Sequence, residues 1–555
     1  MDSITQSRHD ENLQRVQTLG SVKLRHEDNK EIILIPTPSD DPNDPLNWSK
    51  PFKVYLMLLT CLILILANFL AVGPSVTIIE TTIDLLHATP PIPSVPQTLA
   101  PASIAAFTSA VTKMSYVFSG MALMQGFSNL IWMPLIVKYG RRPVYIFSWL
   151  GYTIFAVVAS RAYNWSILLG SRIVLGFFPG TAECMAPLTI ADLTFLHQRG
   201  VMMALYAVAL GSGGSIGSVI DGALSTTTDW RAIYYLGAGL SGFVTILIFF
   251  TFPETAYNRL AAPMKSRVSD GLPEKLEKET NTSINATHVE VEQHVIPPKK
   301  SFAQNLKITN GILTQESMFT IFLRPLAMFV LPPVFWATIM LGLHVGFYVV
   351  IGNTVATSFT QNYHFSTLQV GLLWFAVIIG SLIGLPLAGW WTDWVADLLT
   401  RRNHGIREPE MRLPAMILGM LVAPGGILLY GLGIGYKLHW AAPAFGLLLF
   451  SVALAVNGNI AMVYTIDAYR PVAGEVVVTQ MGLKAGFAFL LGFYANKWIL
   501  NVGYPGTFGA QTGIIFVVAA CWLPLYVWGK RIRHATFKWS IMSIMRWELD
   551  REIGE

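Results

Sequence analysis

Four ionisable side chains, Arg172, Glu183, Asp221 and Lys484, stand inside stretches that are otherwise apolar. A charge held in a hydrocarbon environment is costly unless it meets a partner or a wet cavity, so each is a candidate for handling a proton or a charged solute. Arg172, Gly176, Gly180 and Glu183 lie on one helical stripe, at offsets of four, eight and eleven, and the glycines permit close approach of a second helix. Asp221 shares a stripe with Gly213 and Gly217 near the end of its apolar run, where an interfacial helix-end role is the plainer alternative. Lys484 lies nine residues past Glu475, which is about 14 Å into a core about 30 Å thick. It could bind an anionic solute group or pair with a carboxylate such as Glu183 or Asp467. Buried ion pairs that only tie helices together would account for the same residues without a functional role. Asn68, His344, Asn353, Asn457, Asn459 and Tyr464 could line a cavity, although an intramembrane Asn bonds a neighbouring helix as readily as a solute.

The elements that must hold these residues follow from composition. The chain has 555 residues, 53% apolar and only 13% charged, which excludes a soluble protein with polar domain surfaces. Its net charge of +5 is spread over short runs between apolar segments, not gathered on one basic face, so nucleic acid is not an expected partner. Cys61, Cys184 and Cys521 fall in apolar stretches without metal-ligand or disulfide spacing. There is no P-loop, HExxH or Cys/His cluster, and GSGGSIG sits inside an apolar span. No enzyme activity, cofactor or metal is therefore expected. The start of the chain has no apolar core of the signal-peptide kind, so the first span is expected to act as the insertion signal.

Apolar runs of the ~20 residues needed to cross a bilayer begin with VYLMLLTCLILILANFLAV at 54–72, which has no charge. Others fall at about 115–137, 144–161, 165–189, 201–222 and 232–252, then at 328–351, 369–392, 413–433, 441–466, 475–500 and 509–528. The expected fold is all-α, with twelve transmembrane helices. Its expected parts are a tail (1–53), a six-helix bundle (54–252), a polar linker (253–327), a second bundle (328–528) and a tail (529–555). Lys138, Arg141, Arg142, Arg199, Arg401, Arg402, Arg407, Arg412, Lys530, Arg531 and Arg533 gather in alternate loops, which puts both termini and the linker in the cytosol. Sequons at Asn47, Asn281 and Asn285 then lie on the wrong side for glycosylation, and that at Asn164 lies against a span end. A monomer is expected, with lipid, protons and a small solute as its partners.

The stretch NLIWMPLIVKYGRRPV, Asn129 to Val144, resembles the intracellular loop-two signature of the major facilitator superfamily, in a form similar to fungal members near the drug:proton antiporter branch. DPNDPLNWSKPFK, IADLTFLHQRG, FPETAYNR, RRNHGIREPEMRLPA and YTIDAYRPVAGEVV resemble the same group. The resemblance implies two pseudo-symmetric six-helix bundles, the major facilitator fold, working by alternating access. It also implies a gating motif of Lys138, Gly140, Arg141 and Arg142, with Asp393 as the second-half acid. Arg172 and Gly176 match the span-four R-x-x-x-G associated with proton transfer in such transporters. The chain departs from the family at Val137, where the first-half loop acid usually stands, and on span five, where Gly213-Gly214-Ser215 lacks the antiporter proline. The expected function is proton-coupled export of a small organic molecule such as a drug, toxin or secondary metabolite, at the plasma membrane. The alternatives are a proton-coupled uptake permease for a nutrient or organic ion and a non-transporting nutrient sensor. Trp132, Phe177, Phe178, Trp336, Phe347 and Trp374 would suit an aromatic solute, or else simply pack.

Overall fold

Eleven helices among the described residues are long and apolar enough to cross a membrane. The chain is seen in a computed structural model, which describes residues 22–23, 39, 41–88, 101–257, 298–309, 311–403, 406–469 and 472–539. Most of the N-terminal tail, most of the linker with Asn281 and Asn285, and the end of the C-terminal tail lie outside the described residues. Spans one to six are Lys50–Ser75, Ala106–Tyr139, Arg141–Ser160, Trp165–Leu193, Val201–Leu224 and Ala232–Thr251. Spans seven to ten are Pro332–Tyr363, Thr367–Arg402, Pro409–Gly435 and Ala441–Ala468. The last apolar stretch, Ala473–Thr536, is 64 residues long, and Gly503 interrupts its helix with φ 77° and ψ 170°. That break falls between the expected runs 475–500 and 509–528 and divides the stretch into spans eleven and twelve.

Three elements depart from the expected boundaries. The second helix begins at Pro101, well before 115, because its first turns are rich in Ala, Ser and Thr. Those residues keep a helix going without raising apolar density to that of a span. A short helix, Ile78–Leu86, follows span one after a 3-10 turn at Gly73–Ser75. Within the segment read as polar linker, Met318–Met328 is a helix whose Arg324 is buried, 2.8 Å from Glu316 and 3.9 Å from Glu475. Outward-facing Leu58, Phe147, Phe243, Trp390 and Leu500 are exposed, as a lipid-covered surface requires.

Glycines set how closely spans pack. A Cβ on Gly176 would stand 2.5 Å from the Met121 carbonyl oxygen, and one on Gly180 would overlap Ser128 and crowd the Gln125 carbonyl. The stripe from Arg172 to Glu183 therefore lies against span two, which is the second helix whose close approach its glycines permit. On span five, Gly213 and Gly217 meet the backbone of span one at Ile65 and Phe69.

The two bundles touch on both sides of a central space. At the rim away from the basic loops, Gly222 of span five approaches Gly371 of span eight, and Thr367 Oγ1 donates to Glu80 Oε1 at 2.7 Å. At the basic rim, Gly474 of span eleven packs on Met133 and Leu188.

Candidate functional site

A cavity of about 160 Å³ lies between the bundles, with a mostly apolar lining drawn from both. Its polar centre is built by helices that meet at their smallest residues. Gly126 of span two lies so close to Ala485 of span eleven that a Cβ there would overlap the Ala485 methyl group. The neighbouring residues on the two helices, Gln125 and Lys484, are thereby brought to the cavity wall. Lys484 Nζ lies 3.1 Å from Glu183 Oε2, so an ion pair joins span eleven of one bundle to span four of the other. Both side chains are about 5% exposed. Gln125 Nε2 donates to Glu183 Oε1 at 2.9 Å, and the Tyr206 hydroxyl donates to the Glu183 carbonyl at 3.2 Å. Of the two carboxylates open to Lys484 on sequence grounds, Glu183 is the partner, while Asp467 pairs with Arg412 at 3.1 Å.

Arg172 is fully buried one layer behind the cavity wall. Its guanidinium lies 4.5 Å from the ring centre of Phe118, which does line the cavity, and donates to Tyr234 Oη at 2.6 Å and to the Ala71 carbonyl at 2.9 Å. Asp221 is 1% exposed and accepts from Thr77 Oγ1 at 2.9 Å. Asp221 does stand near the end of its span, which closes at Leu224, but it is buried in a contact between span five and the turn after span one instead of lying exposed at an interface.

The six polar candidates divide evenly. Asn68, Asn353 and Asn459 line the cavity. His344, Asn457 and Tyr464 do not. His344 Nδ1 meets the Met340 carbonyl at 2.8 Å, which assigns the proton to that nitrogen, and Nε2 then accepts from Asn457 Nδ2 at 3.1 Å. The pair is committed to holding span seven on span ten. Tyr464 is fully buried with its ring against Trp336. None of Trp132, Phe177, Phe178, Trp336, Phe347 and Trp374 lines the cavity, whose aromatic residues are Phe118, Tyr206 and Tyr348.

At the basic rim the residues of the expected gating motif are placed differently in the two halves. Arg142 donates to the carbonyls of Phe249 and Phe252 at the end of span six, while Glu254 accepts the backbone N–H groups of Arg141 and Arg142 at 2.9 and 3.1 Å. Arg141 also pairs with Asp192 at 3.2 Å. The Lys138 carbonyl accepts from the Leu313 N–H at 2.9 Å. In the second half, Asp393 receives Arg412 at 2.9 Å and Arg407 at 3.0 Å, and Arg412 reaches on to Asp467. Sequence reading missed Gln125, Tyr206 and Glu254 as individual residues. A glutamine inside an apolar run was the available signal for the first. Glu254 had been seen only as part of FPETAYNR.

Two bundles of membrane helices around a cavity that holds a bridging ion pair define a secondary transporter, not an enzyme. The chain belongs to the major facilitator superfamily, whose profile matches residues 57–483. It is 26% identical to an uncharacterized MFS-type transporter, C1271.10c, of Schizosaccharomyces pombe, over 95% of this chain and 92% of that one. It is 25% identical to the efflux pump radE of Floropilus chiversii, over 90% of this chain and 84% of the other. The crystal structure of the human organic anion transporter MFSD10 aligns with 86% of this chain and 100% of its own, at a TM-score of 0.54 and 16% identity, which shows a shared fold.

Proposed function

We propose that this transporter exports a small organic molecule in exchange for protons, by alternating access of the two bundles around the central cavity. The observation that carries the reading is the Glu183–Lys484 pair, which joins the bundles inside the cavity wall. With Glu183 ionised, the pair holds spans four and eleven together. A proton on Glu183, or a charged solute group competing for either partner, removes that attraction and frees the bundles to rock. Protonation and solute binding are then linked through one site, since a buried charge that loses its partner is left uncompensated. Gln125 orients the carboxylate, and Arg172 braces spans one, two and six behind it.

A mostly apolar lining supports an organic solute with an apolar body, and the efflux pump among the relatives supports export. Cytosolic termini and linker, a monomer, and the plasma membrane complete the proposal, with the basic loops facing the cytosol. The test uses proteoliposomes carrying an imposed pH gradient and a panel of lipophilic organic cations and anions. Solute is expected to move against the direction of proton flow. Flux that is identical with and without the gradient contradicts coupling, and solute that travels with the protons contradicts exchange.

A further inference from the structure

The cavity has a second polar pole that the ion pair does not use. Asn353 of span seven lines the cavity and is 4% exposed, and its Nδ2 has no hydrogen-bond partner. Ser119 of span two is fully buried, and its Oγ also lacks a partner. The two atoms flank Gly492 of span eleven, lying 3.2 and 3.1 Å from the place a Cβ would take there. Val349 Cγ1 stands 3.0 Å from the same point, so a glycine is what fits there without pressing on the two polar atoms; Asn353 is the one of them that forms part of the cavity wall. Gly492 is eight residues beyond Lys484 on one helix, which sets this pole about 12 Å from Lys484 along the axis of span eleven. Between the poles the wall is apolar, with Phe118, Val349 and Ala488.

An amide nitrogen can only donate, so its partner must be an acceptor, which an oxygen of a solute in the cavity can supply. We propose that Asn353 and Ser119 form a subsite for a neutral oxygen of the transported molecule, a hydroxyl, carbonyl or ether. The solute is then an elongated amphipath, with a charged end at Glu183 and Lys484, an apolar body, and an oxygen about 12 Å away. This rests on the cavity being the solute site, as proposed above, and not on proton coupling or direction.

The test is binding to the purified full-length protein in lipid nanodiscs, read as the ligand-dependent rise in unfolding temperature. The probes are two matched pairs, 10-hydroxydecanoate with decanoate and 10-aminodecan-1-ol with decylamine. In each pair the hydroxyl of the extended chain falls near the required distance from the charge. The hydroxylated member of at least one pair is expected to bind about threefold to tenfold more tightly, as one added neutral hydrogen bond gives. Asn353→Leu and Ser119→Ala are expected to lose that preference while keeping their affinity for the plain probe. Asn353→Ser, which keeps a donor, is expected to retain part of it and carries the test if the leucine variant does not fold.

A preference that survives in Asn353→Leu overturns the proposal. So does a wild-type protein with no preference, where Asn353 is a hydrated structural amide only, or one that binds neither member of either pair. A hydroxyl preference without pH-gradient coupling would leave the subsite standing and sink the coupling, and the reverse pattern would sink the subsite alone.

Discussion

The carboxylate of Glu254 fills the space that a side chain on Gly140 would occupy. Gly140 has φ 92° and ψ 177°, a region open essentially to glycine, and it turns the chain so that the first N–H groups of span three point at that carboxylate. Arg142, the second residue of span three, donates through its guanidinium to the last carbonyls of span six. Spans three and six thus satisfy each other's helix ends at the basic rim, the negative group at an N-terminus and the positive one at a C-terminus. In the second half the corresponding rim is tied by Asp393, Arg412 and Asp467.

Gly140→Ala is expected to lower stability by roughly 1–3 kcal/mol from the backbone alone, with the clash against Glu254 adding to it. Thermal unfolding of the purified protein in detergent checks this. An unfolding temperature equal to wild type would mean that the turn is not held as described.

Glu183→Gln and Lys484→Met should each destabilise by about 3–5 kcal/mol, because each leaves a buried charge without its partner. The double variant should cost less than the two single changes added together. A double-mutant cycle on unfolding free energies reads the difference, and strict additivity would show that the pair is not coupled.

His344→Gln should cost about 1–3 kcal/mol in stability through the loss of the contacts to Met340 and Asn457, yet leave solute affinity unchanged. Binding and unfolding measured on the same preparation separate the two effects. A variant with normal stability and altered solute preference would return His344 to the site.

Glu80 lies outside the spans, and burial raises its carboxyl above the ordinary value, with the Thr367 hydroxyl opposing that shift and nearby Asp229 adding to it. An acid whose native pKa is raised binds its proton more tightly folded than unfolded, so its contribution to stability is present at low pH and fades as pH rises through the carboxylate range. Glu80→Gln keeps an acceptor for Thr367 and removes the titration. Its unfolding temperature relative to wild type should therefore increase between pH 4 and pH 7. A difference that stays flat or falls would rule out this reading of the contact.

Much of this architecture was legible because lipid punishes polar groups. Long apolar runs marked the spans, and the interval between the runs at 475–500 and 509–528 contains the break before span twelve. Glu183 and Lys484 stood out by the cost of placing them, and the glycines beside Arg172 gave the face that meets span two. The start of the second helix was hidden because Ala, Ser and Thr are helical without being strongly apolar. Which intramembrane Asn or Tyr faces the cavity was also hidden. Asn457 and Asn459 are two residues apart on span ten, and one meets His344 while the other lines the cavity. That choice depends on which way the whole helix is rotated, which the neighbouring helices decide.

In the proposed exchange Glu183 carries the transported proton. Proteoliposomes with a trapped pH-sensitive dye report proton movement when solute is added to one side. Wild-type protein is predicted to move protons opposite to the solute, and Glu183→Gln is predicted to move none while still binding solute. Proton movement in Glu183→Gln equal to that of wild type would contradict the account.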